Sequence, residues 1–222
     1  MDAPVEPSLM LSGFGGLRPL VSAEADRGTK HLLRDHAVEV DTQSGLVSLL
    51  GGKWTTYRVM AQDTVDTIAR NILPNDAPCT TADCLLEGAD GYSPDSWQLL
   101  AASAGWSEAV CKQLVQTYGA KASLLLAITA EQPATQELLV EGYPYVLAQV
   151  VYAVRYEMAC TLRDVLARRI RLELLDWQAT VQAITPTAHI MAQELGWTAA
   201  AMHQAIAEYT AQLDYFKQKA TP

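Results

Sequence analysis

The sequence predicts an α+β protein in which a short β-hairpin and one helix precede a mostly α-helical C-terminal domain. Valines alternate with charged residues over 38–41, and an apolar run follows over 46–50, as expected for two paired strands. From residue 96 onward, apolar residues recur at intervals of three and four, which is the spacing of helices with one buried face. We therefore expect a compact helical domain after a small β-containing part.

The composition is that of a globular protein that does not bind nucleic acid. Half of the 222 residues are apolar, which is enough for a sizeable core. The formal charge of −9 opposes binding to phosphate backbones, so we expect no nucleic-acid partner. No stretch approaches the roughly 20 apolar residues of a transmembrane helix, and the N-terminus lacks a secretion signal pattern. Peripheral attachment to a membrane stays open.

The cysteines and histidines show no metal-binding or nucleophilic pattern. The four cysteines form no CxxC pair and do not cluster with the histidines, so the sequence predicts neither a metal site nor a disulfide framework. Reduced thiols indicate a cytoplasmic setting. His189 and His203 follow helical patterns without an acid or thiol partner at the spacing of a nucleophile, and we expect them to be structural or exposed.

The N-terminal region contains a glycine-rich bend that leads to an arginine. A strand is predicted at 9–11, followed by the bend at 13–16. A dinucleotide-binding fingerprint is excluded, because its third glycine would fall at Arg18 and Pro19 stands where a helix should begin. Arg18, after flexible glycines and before a rigid proline, can project a guanidinium into a cleft. An ordinary surface arginine is the alternative.

Residues 34–50 are predicted to form the β-hairpin, with the turn at 42–45. Arg34 stands at the start of the first strand, and Lys53 follows the end of the second. Antiparallel pairing makes these two positions neighbours. Two neighbouring cations indicate an anion between them.

Residues 51–58, Gly-Gly-Lys-Trp-Thr-Thr-Tyr-Arg, join the second strand to the next helix. The glycines Gly51 and Gly52 allow positive φ or close approach to a ligand, and Thr55 or Thr56 can cap the first amides of the helix. A helix N-terminus attracts anions, and Lys53 stands at its mouth. The stretch is not a phosphate-binding P-loop, because Val47 occupies the position of that motif's first glycine. A purely structural turn is the alternative.

The rest of the chain divides into a helix, a linker and a helical domain. A one-sided helix is predicted over 54–73, and Pro74 ends it. The following residues are rich in Pro, Asp, Gly and Thr, so we place the domain limits at 1–74 and 96–222, with a linker over 75–95. Helices of the C-terminal domain are predicted over 96–104, 107–118, 120–130, 134–141, 144–166, 168–175, 178–194 and 198–216.

Glycine and proline punctuate this series of helices, at Gly119, Gly142, Pro144, Pro186 and Gly196, and Thr198 is an N-cap. One apolar stripe is predicted to be core: Val146, Val150, Ala153, Val154, Met158 and Leu162. A basic run is predicted to form ion pairs with Glu157 and Asp164, an anion site being the alternative: Arg163, Arg168, Arg169 and Arg171.

Several strings then occur in a characteristic order: residues 16–20 (Gly-Leu-Arg-Pro-Leu), Arg34-Asp35, 51–58, Tyr118-Gly119, 143–145, 150–152, 155–159 and 164–169. In this order they resemble the C-terminal portion of FAD-dependent glycerol-3-phosphate dehydrogenase, including its C-terminal helical domain. The resemblance covers nearly the whole chain. It implies a flavoprotein oxidoreductase in which FAD takes a hydride from C2 of glycerol 3-phosphate, giving dihydroxyacetone phosphate, and passes electrons to a membrane quinone.

The resemblance also assigns roles to residues. Arg18 and Arg34 would contact the phosphate and oxygens of the substrate, since guanidinium groups bind oxyanions in a bidentate manner. Lys53 would lie beside substrate and flavin as the catalytic residue. The flavin-facing residues would be Gly51, Gly52, Thr55 and Thr56, whose amides and helix N-terminus stabilise negative charge on the reduced ring.

One departure from the family is large, because this sequence lacks the N-terminal FAD-binding half with its Gly-x-Gly-x-x-Gly turn. The β-hairpin is then a remnant of the oxidoreductase domain. We expect the chain to be a fragment, or a subunit completed by another chain, that binds FAD poorly and is inactive alone. An oxygen-using oxidase and a noncatalytic helical interaction module are the alternatives. The family points to the cytoplasmic face of the inner membrane, and a homodimer stays open.

Overall fold

The protein consists of a small unit and a helical unit. The computed structural model describes residues 9–17, 35–73 and 77–220. The small unit extends over 15–85, and the helical unit comprises 86–222 together with 1–14. One two-stranded sheet lies in the small unit, and all but one of the α-helices of the described residues belong to the helical unit. The predicted α+β class, with a helical C-terminal part, is confirmed.

The small unit contains the predicted hairpin and one helix. Strands β1 (His36–Val40) and β2 (Val47–Gly51) are antiparallel, with His36 opposite Gly51 and Val40 opposite Val47. Asp41 begins the turn and accepts hydrogen bonds from the backbone amide and the hydroxyl of Ser44, which lower the pKa of its carboxyl group. A short 3₁₀ turn, Trp54–Thr56, leads into helix α1, Tyr57–Asn71.

The described part of the small unit has no buried residue. Its large apolar side chains are instead open to solvent, among them Leu46 (63% exposed), Trp54 (87%) and Val65 (61%). A single hairpin is marginally stable in water unless further structure covers one of its faces. Helix α1 covers the hairpin only in part. This unit therefore lacks a core of its own among the residues that the structure describes.

The helical unit has six α-helices in its described part and a continuous core. The helices are α2 (Ser96–Ala104), α3 (Glu108–Tyr118), α4 (Ser123–Glu131), α5 (Ala148–Glu157), α6 (Trp177–Leu195) and α7 (Ala199–Ala220). Helix α6 packs against both α5 and α7. Fully buried side chains from these helices form the centre: Leu114, Leu125, Val150, Ile184, Met191 and Leu213. Long amphipathic helices with this apolar spacing bury one face each, as predicted.

Residues 9–14 lie on the helical unit but do not form the predicted strand. The carbonyl of Leu11 accepts a hydrogen bond from the Trp177 amide at 2.9 Å, and the Ser12 hydroxyl donates to the Leu174 carbonyl at 2.7 Å. The backbone of this segment thus bonds to the start of α6, and no strand neighbour lies beside it among the described residues. The strand prediction was wrong because an extended segment needs a partner strand to become one.

The predicted helix over 134–141 is also absent. A 3₁₀ turn covers Pro133–Gln136, and the chain then reverses so that the Leu139 amide donates to the Tyr145 carbonyl at 2.8 Å. Leu138 and Val146 form an isolated antiparallel bridge across this reversal. Gly142, with φ +83°, stands at the bend. Glycine and proline in the bend favour this small hairpin over continued helix.

The predicted helix over 144–166 is broken at Met158, which has a φ of 55° and ends α5. The side chain of Met158 is 84% exposed, so its assignment to the core was wrong. A π-helix follows at Asp164–Arg169, and a 3₁₀ turn at Leu172–Leu174. Pro186 lies inside α6, which agrees with the predicted helix over 178–194.

Three arginines of the basic run form ion pairs, two of them with the predicted carboxylates. Arg168 contacts Asp164 at 2.7 Å, one turn earlier, and Arg169 Nε lies 3.8 Å from the Glu157 carboxylate. Arg163 pairs with Glu173, a buried partner that the sequence patterns did not indicate. His189 and His203 are exposed, as predicted. Among the described residues, no helix has the length and apolar character needed to cross a membrane.

Candidate functional site

The candidate site is the turn that joins β2 to α1 in the small unit. Gly51 and Gly52 adopt φ angles of 69° and 89°. Residues with a Cβ atom rarely adopt such positive φ angles, whereas glycine does so readily. Lys53 is extended, with φ −133° and ψ 145°, and its side chain is exposed. The predicted strand–turn–helix geometry is therefore present, with the lysine at its outer surface.

The start of the helix has neither a capping side chain nor an acidic residue. No side-chain hydrogen bond caps the 3₁₀ turn or α1, and the first turn of each contains no Asp or Glu. The Thr56 hydroxyl donates instead to the Lys53 carbonyl at 3.1 Å, and Thr55 lies inside the 3₁₀ turn. The prediction of a threonine cap was therefore wrong. Partial positive charge at this end of the helix stays available to an anionic group.

The floor of the turn consists of residues from β1 and α1. The Gly52 amide donates to the Asp35 carbonyl at 3.0 Å. A Cβ atom on Gly52 would overlap Met60 Cε and would lie 3.4 Å from His36 Cβ. His36 Nε2 lies 2.7 Å from Asp63 Oδ2. The backbone of the turn therefore lies directly on two side chains, one of which is hydrogen-bonded to α1.

Arg58, the last residue of the Gly-Gly-Lys-Trp-Thr-Thr-Tyr-Arg string, connects α1 to the following loop. Its Nη1 donates to Gln62 Oε1 at 2.9 Å and to Thr81 Oγ1 at 3.3 Å. Thr81 Oγ1 is also 3.1 Å from Cys79 Sγ, and this hydrogen bond lowers the pKa of the Cys79 thiol. In this structure Arg58 thus has a structural role in the small unit.

The structure brings five of the predicted site residues together in one turn: Gly51, Gly52, Lys53, Thr55 and Thr56. Arg18 and Arg34 lie outside the described residues, so the predicted pair of cations around an anion stays a prediction. The sequence patterns did not single out His36 and Asp63. A signal was present, because the hairpin register places His36 opposite Gly51.

Comparison with known proteins identifies the family. The model of the C-terminal domain of alpha-glycerophosphate oxidase matches residues 79–202, which is more than half of the chain. The chain belongs to this family. The alpha-glycerophosphate oxidase C-terminal domain family thus accounts for most of the helical unit, while the candidate site lies N-terminal to the matched residues.

Relatives extend the similarity to the candidate site. The probable mitochondrial glycerol-3-phosphate dehydrogenase of Caenorhabditis elegans is 39% identical over 204 residues, which cover 90% of this chain and 28% of that protein. The mitochondrial glycerol-3-phosphate dehydrogenase of Mesocricetus auratus is 36% identical over 201 residues, with 89% and 27% covered. Alignments that omit only about a tenth of the chain at its ends must include residues 51–58. The chain spans less than a third of the length of these relatives.

The X-ray structure of glycerol-3-phosphate dehydrogenase from Bacillus halodurans, complexed with FAD, has a similar fold. The TM-score is 0.68 at 28% identity, and the match covers 82% of this chain and 37% of the other. The sequence resemblance to the C-terminal portion of this enzyme class is thereby confirmed.

The residues of the turn fit one edge of a flavin. Two glycines with positive φ leave backbone without side chains, the helix start carries no acid, and Lys53 adds a positive charge. This donor set suits the ring edge on which negative charge accumulates in reduced flavin. The described residues contain no parallel strand–turn–helix unit for the adenine nucleotide. They therefore fit part of FAD and not the whole cofactor.

Proposed function

We propose that this chain is the C-terminal part of an FAD-dependent glycerol-3-phosphate dehydrogenase that oxidises sn-glycerol 3-phosphate to dihydroxyacetone phosphate. The observation that carries the proposal is the turn at 51–53, with positive φ at both glycines, an uncapped helix start and an exposed lysine. The names of the relatives support the choice of substrate. The functional division at 1–74, 75–95 and 96–222 is part of this proposal.

Each site residue has a proposed role. Arg18 and Arg34 bind the phosphate and oxygens of the substrate through bidentate hydrogen bonds. Lys53 is the catalytic residue and holds a positive charge beside the substrate and the flavin. The amides around Gly51 and Gly52 and the helix start at Thr55 and Thr56 face the flavin. FAD, when bound, supplies the acceptor for the hydride that leaves C2, while the hydroxyl proton leaves to a base.

A second part must complete the site. The described small unit has no buried residue, and Leu46, Trp54 and Val65 are largely exposed. A partner that covered these side chains would remove their apolar surface from water, which stabilises the complex by about 25 cal/mol for each Å² buried. An FAD-binding half, either in the same protein or in a separate subunit, would provide this cover together with the adenine nucleotide site. We therefore infer that the chain binds FAD weakly and is inactive by itself.

We propose a quinone as the electron acceptor, with the complete enzyme bound peripherally to the membrane that contains it, on the cytoplasmic face of an inner membrane. The matching family description names an oxidase, which favours oxygen as the second candidate. The two are separated by measuring hydrogen peroxide during substrate oxidation. Peroxide equal to the dihydroxyacetone phosphate formed identifies the oxidase, and reduction of a short-chain quinone without peroxide identifies the dehydrogenase. A homodimer also stays open as a proposal.

The role of Lys53 is tested by Lys53→Gln in the complete enzyme. Because the variant loses one charged hydrogen-bond donor, worth about 1.5–3 kcal/mol, kcat/KM for glycerol 3-phosphate should fall about 10- to 100-fold. Lys112→Gln is the matched control, since Lys112 is a surface lysine paired with Glu108 in the helical unit. The control should retain wild-type kinetics. Equal kinetics for Lys53→Gln and wild type would remove Lys53 from the mechanism.

A further inference from the structure

His36 is enclosed in a unit whose other side chains are largely open. Its side chain is 12% exposed, although no residue of the described small unit is buried. It begins β1, opposite Gly51 in the hairpin register. It is therefore the cross-strand partner of the first glycine of the candidate site.

The ring of His36 links the strand to the helix. Nε2 is 2.7 Å from Oδ2 of Asp63, the seventh residue of α1. On the other side, Nδ1 is buried and lacks a hydrogen-bond partner, with Asp35 Oδ1 at 3.4 Å. The Nε2–H tautomer donates to Asp63 in this arrangement. One hydrogen bond thus connects the element before the turn at 51–53 to the element after it.

The same two elements hold the backbone of the turn. The Gly52 amide donates to the carbonyl of Asp35, the residue before His36, at 3.0 Å. A Cβ atom on Gly52 would overlap the end of Met60 and would lie in van der Waals contact with His36 Cβ, so a side chain at position 52 has no space on the Met60 side. A change in the distance between β1 and α1 would therefore act on the hydrogen bond and the packing that hold Gly52.

We propose that His36 and Asp63 are positioning residues, whose hydrogen bond fixes the turn at 51–53 so that its amides and Lys53 meet the reacting ring and substrate. The inference rests on the proposed function and deepens it. Neither side chain needs to touch substrate or cofactor, because the bond acts through the backbone of Gly52. Displacement of the turn weakens its stabilisation of negative charge on the reduced ring. The flavin midpoint potential then becomes more negative, and kcat falls more than KM rises.

The first test follows the turn itself in the full chain, without flavin. Amide hydrogen exchange of Gly52 should become about 10-fold faster in His36→Leu and in Asp63→Ala, because the bond to Asp35 is no longer held. His36→Gln retains an Nε2–H donor on a side chain of similar reach, and its exchange should stay near that of wild type. Asp66→Asn, a carboxylate change three residues along the same helix, is the control and should leave Gly52 unchanged. Exchange at Gly52 that is equal in wild type, His36→Leu and Asp63→Ala overturns the inference.

The second test measures the complete enzyme with FAD. His36→Leu and Asp63→Ala should each lower kcat by about 10- to 100-fold, the range that a displacement of up to 1 Å costs. The double variant should lose no more than either single one, because both changes remove the same bond. The flavin potential should shift negatively in all three. Additive losses with an unchanged potential would contradict a positioning role. If the wild-type enzyme does not oxidise glycerol 3-phosphate, the proposed function fails, while Gly52 exchange still tests the hydrogen bond.

Discussion

Gly52 has a φ of 89° and lies against the end of the Met60 side chain, whereas Gly45 has a similar φ of 73° with open space around its Cβ position. Both glycines provide a left-handed backbone, which costs roughly 1–2 kcal/mol in other residues. Only Gly52 also meets a neighbour. At the scale of single residues, a comparison of substitutions at these two positions therefore distinguishes the effect of backbone strain from an effect on the turn at 51–53.

We expect Gly52→Ala to impair the complete enzyme more than Gly45→Ala. Both variants carry similar backbone strain, but only the methyl group at position 52 meets a neighbour, so either the end of Met60 or the turn itself must shift to accommodate it. Turnover of glycerol 3-phosphate should fall about tenfold in Gly52→Ala and less than twofold in Gly45→Ala. Steady-state kinetics of the two purified variants make the comparison. Equal turnover would mean that the turn is not part of the site.

At the scale of elements, the sequence predicted the helix ends that depend on local residue chemistry, but it missed the helix end that depends on tertiary packing. Gly119 and Gly196 follow α3 and α6 at the expected positions, since glycine readily leaves the helical conformation. Met158 carries no such signal, yet it ends α5 in a left-handed conformation. Pro186 carries a strong signal for a break, yet α6 continues through it. Tertiary packing overrides local preference at both positions.

The hydrogen bonds around Arg155 illustrate packing between elements. Its guanidinium joins Glu131 at the end of α4 to Glu194 near the end of α6, with both closest N–O distances at 2.7 Å. These hydrogen bonds lower the pKa of both carboxyl groups below the usual value of 4.5. Their stabilising contribution is complete above pH 4.5 and is lost as the pH falls through the lowered values.

We therefore expect Arg155→Gln to reduce the unfolding free energy at pH 7 but to have a smaller effect near pH 3. The partly buried contact with Glu194 should account for about 1.5–3 kcal/mol of the difference at pH 7. Denaturant unfolding of the full chain at the two pH values measures it. Lys112→Gln, which removes a more exposed pair, should cost less than 1 kcal/mol. A deficit in Arg155→Gln that does not shrink on acidification would show that the loss is not electrostatic.

At the scale of the whole molecule, the helical unit contains the core of the described residues, and the small unit contains the candidate site. The apolar spacing after residue 96 was sufficient to predict the core. Apolar residues at intervals of three and four lie on one face of a helix, and that face is buried. The site was predicted from the glycines and the lysine of one string. His36 and Asp63 could not be found in the same way, because they are 27 residues apart and meet only when the hairpin folds against α1. Arg18 and Arg34 stay assigned by resemblance.

We propose that the turn at 51–53 forms one side of a flavin site that another part completes. The most direct test of this claim is the visible absorbance spectrum of the purified chain with added FAD, compared with that of the same chain joined to an FAD-binding half. We expect no stoichiometric flavin on the chain alone, one FAD per complete enzyme, and bleaching of that flavin by glycerol 3-phosphate. Stoichiometric FAD on the chain alone, or a complete enzyme whose flavin glycerol 3-phosphate does not reduce, would contradict the claim.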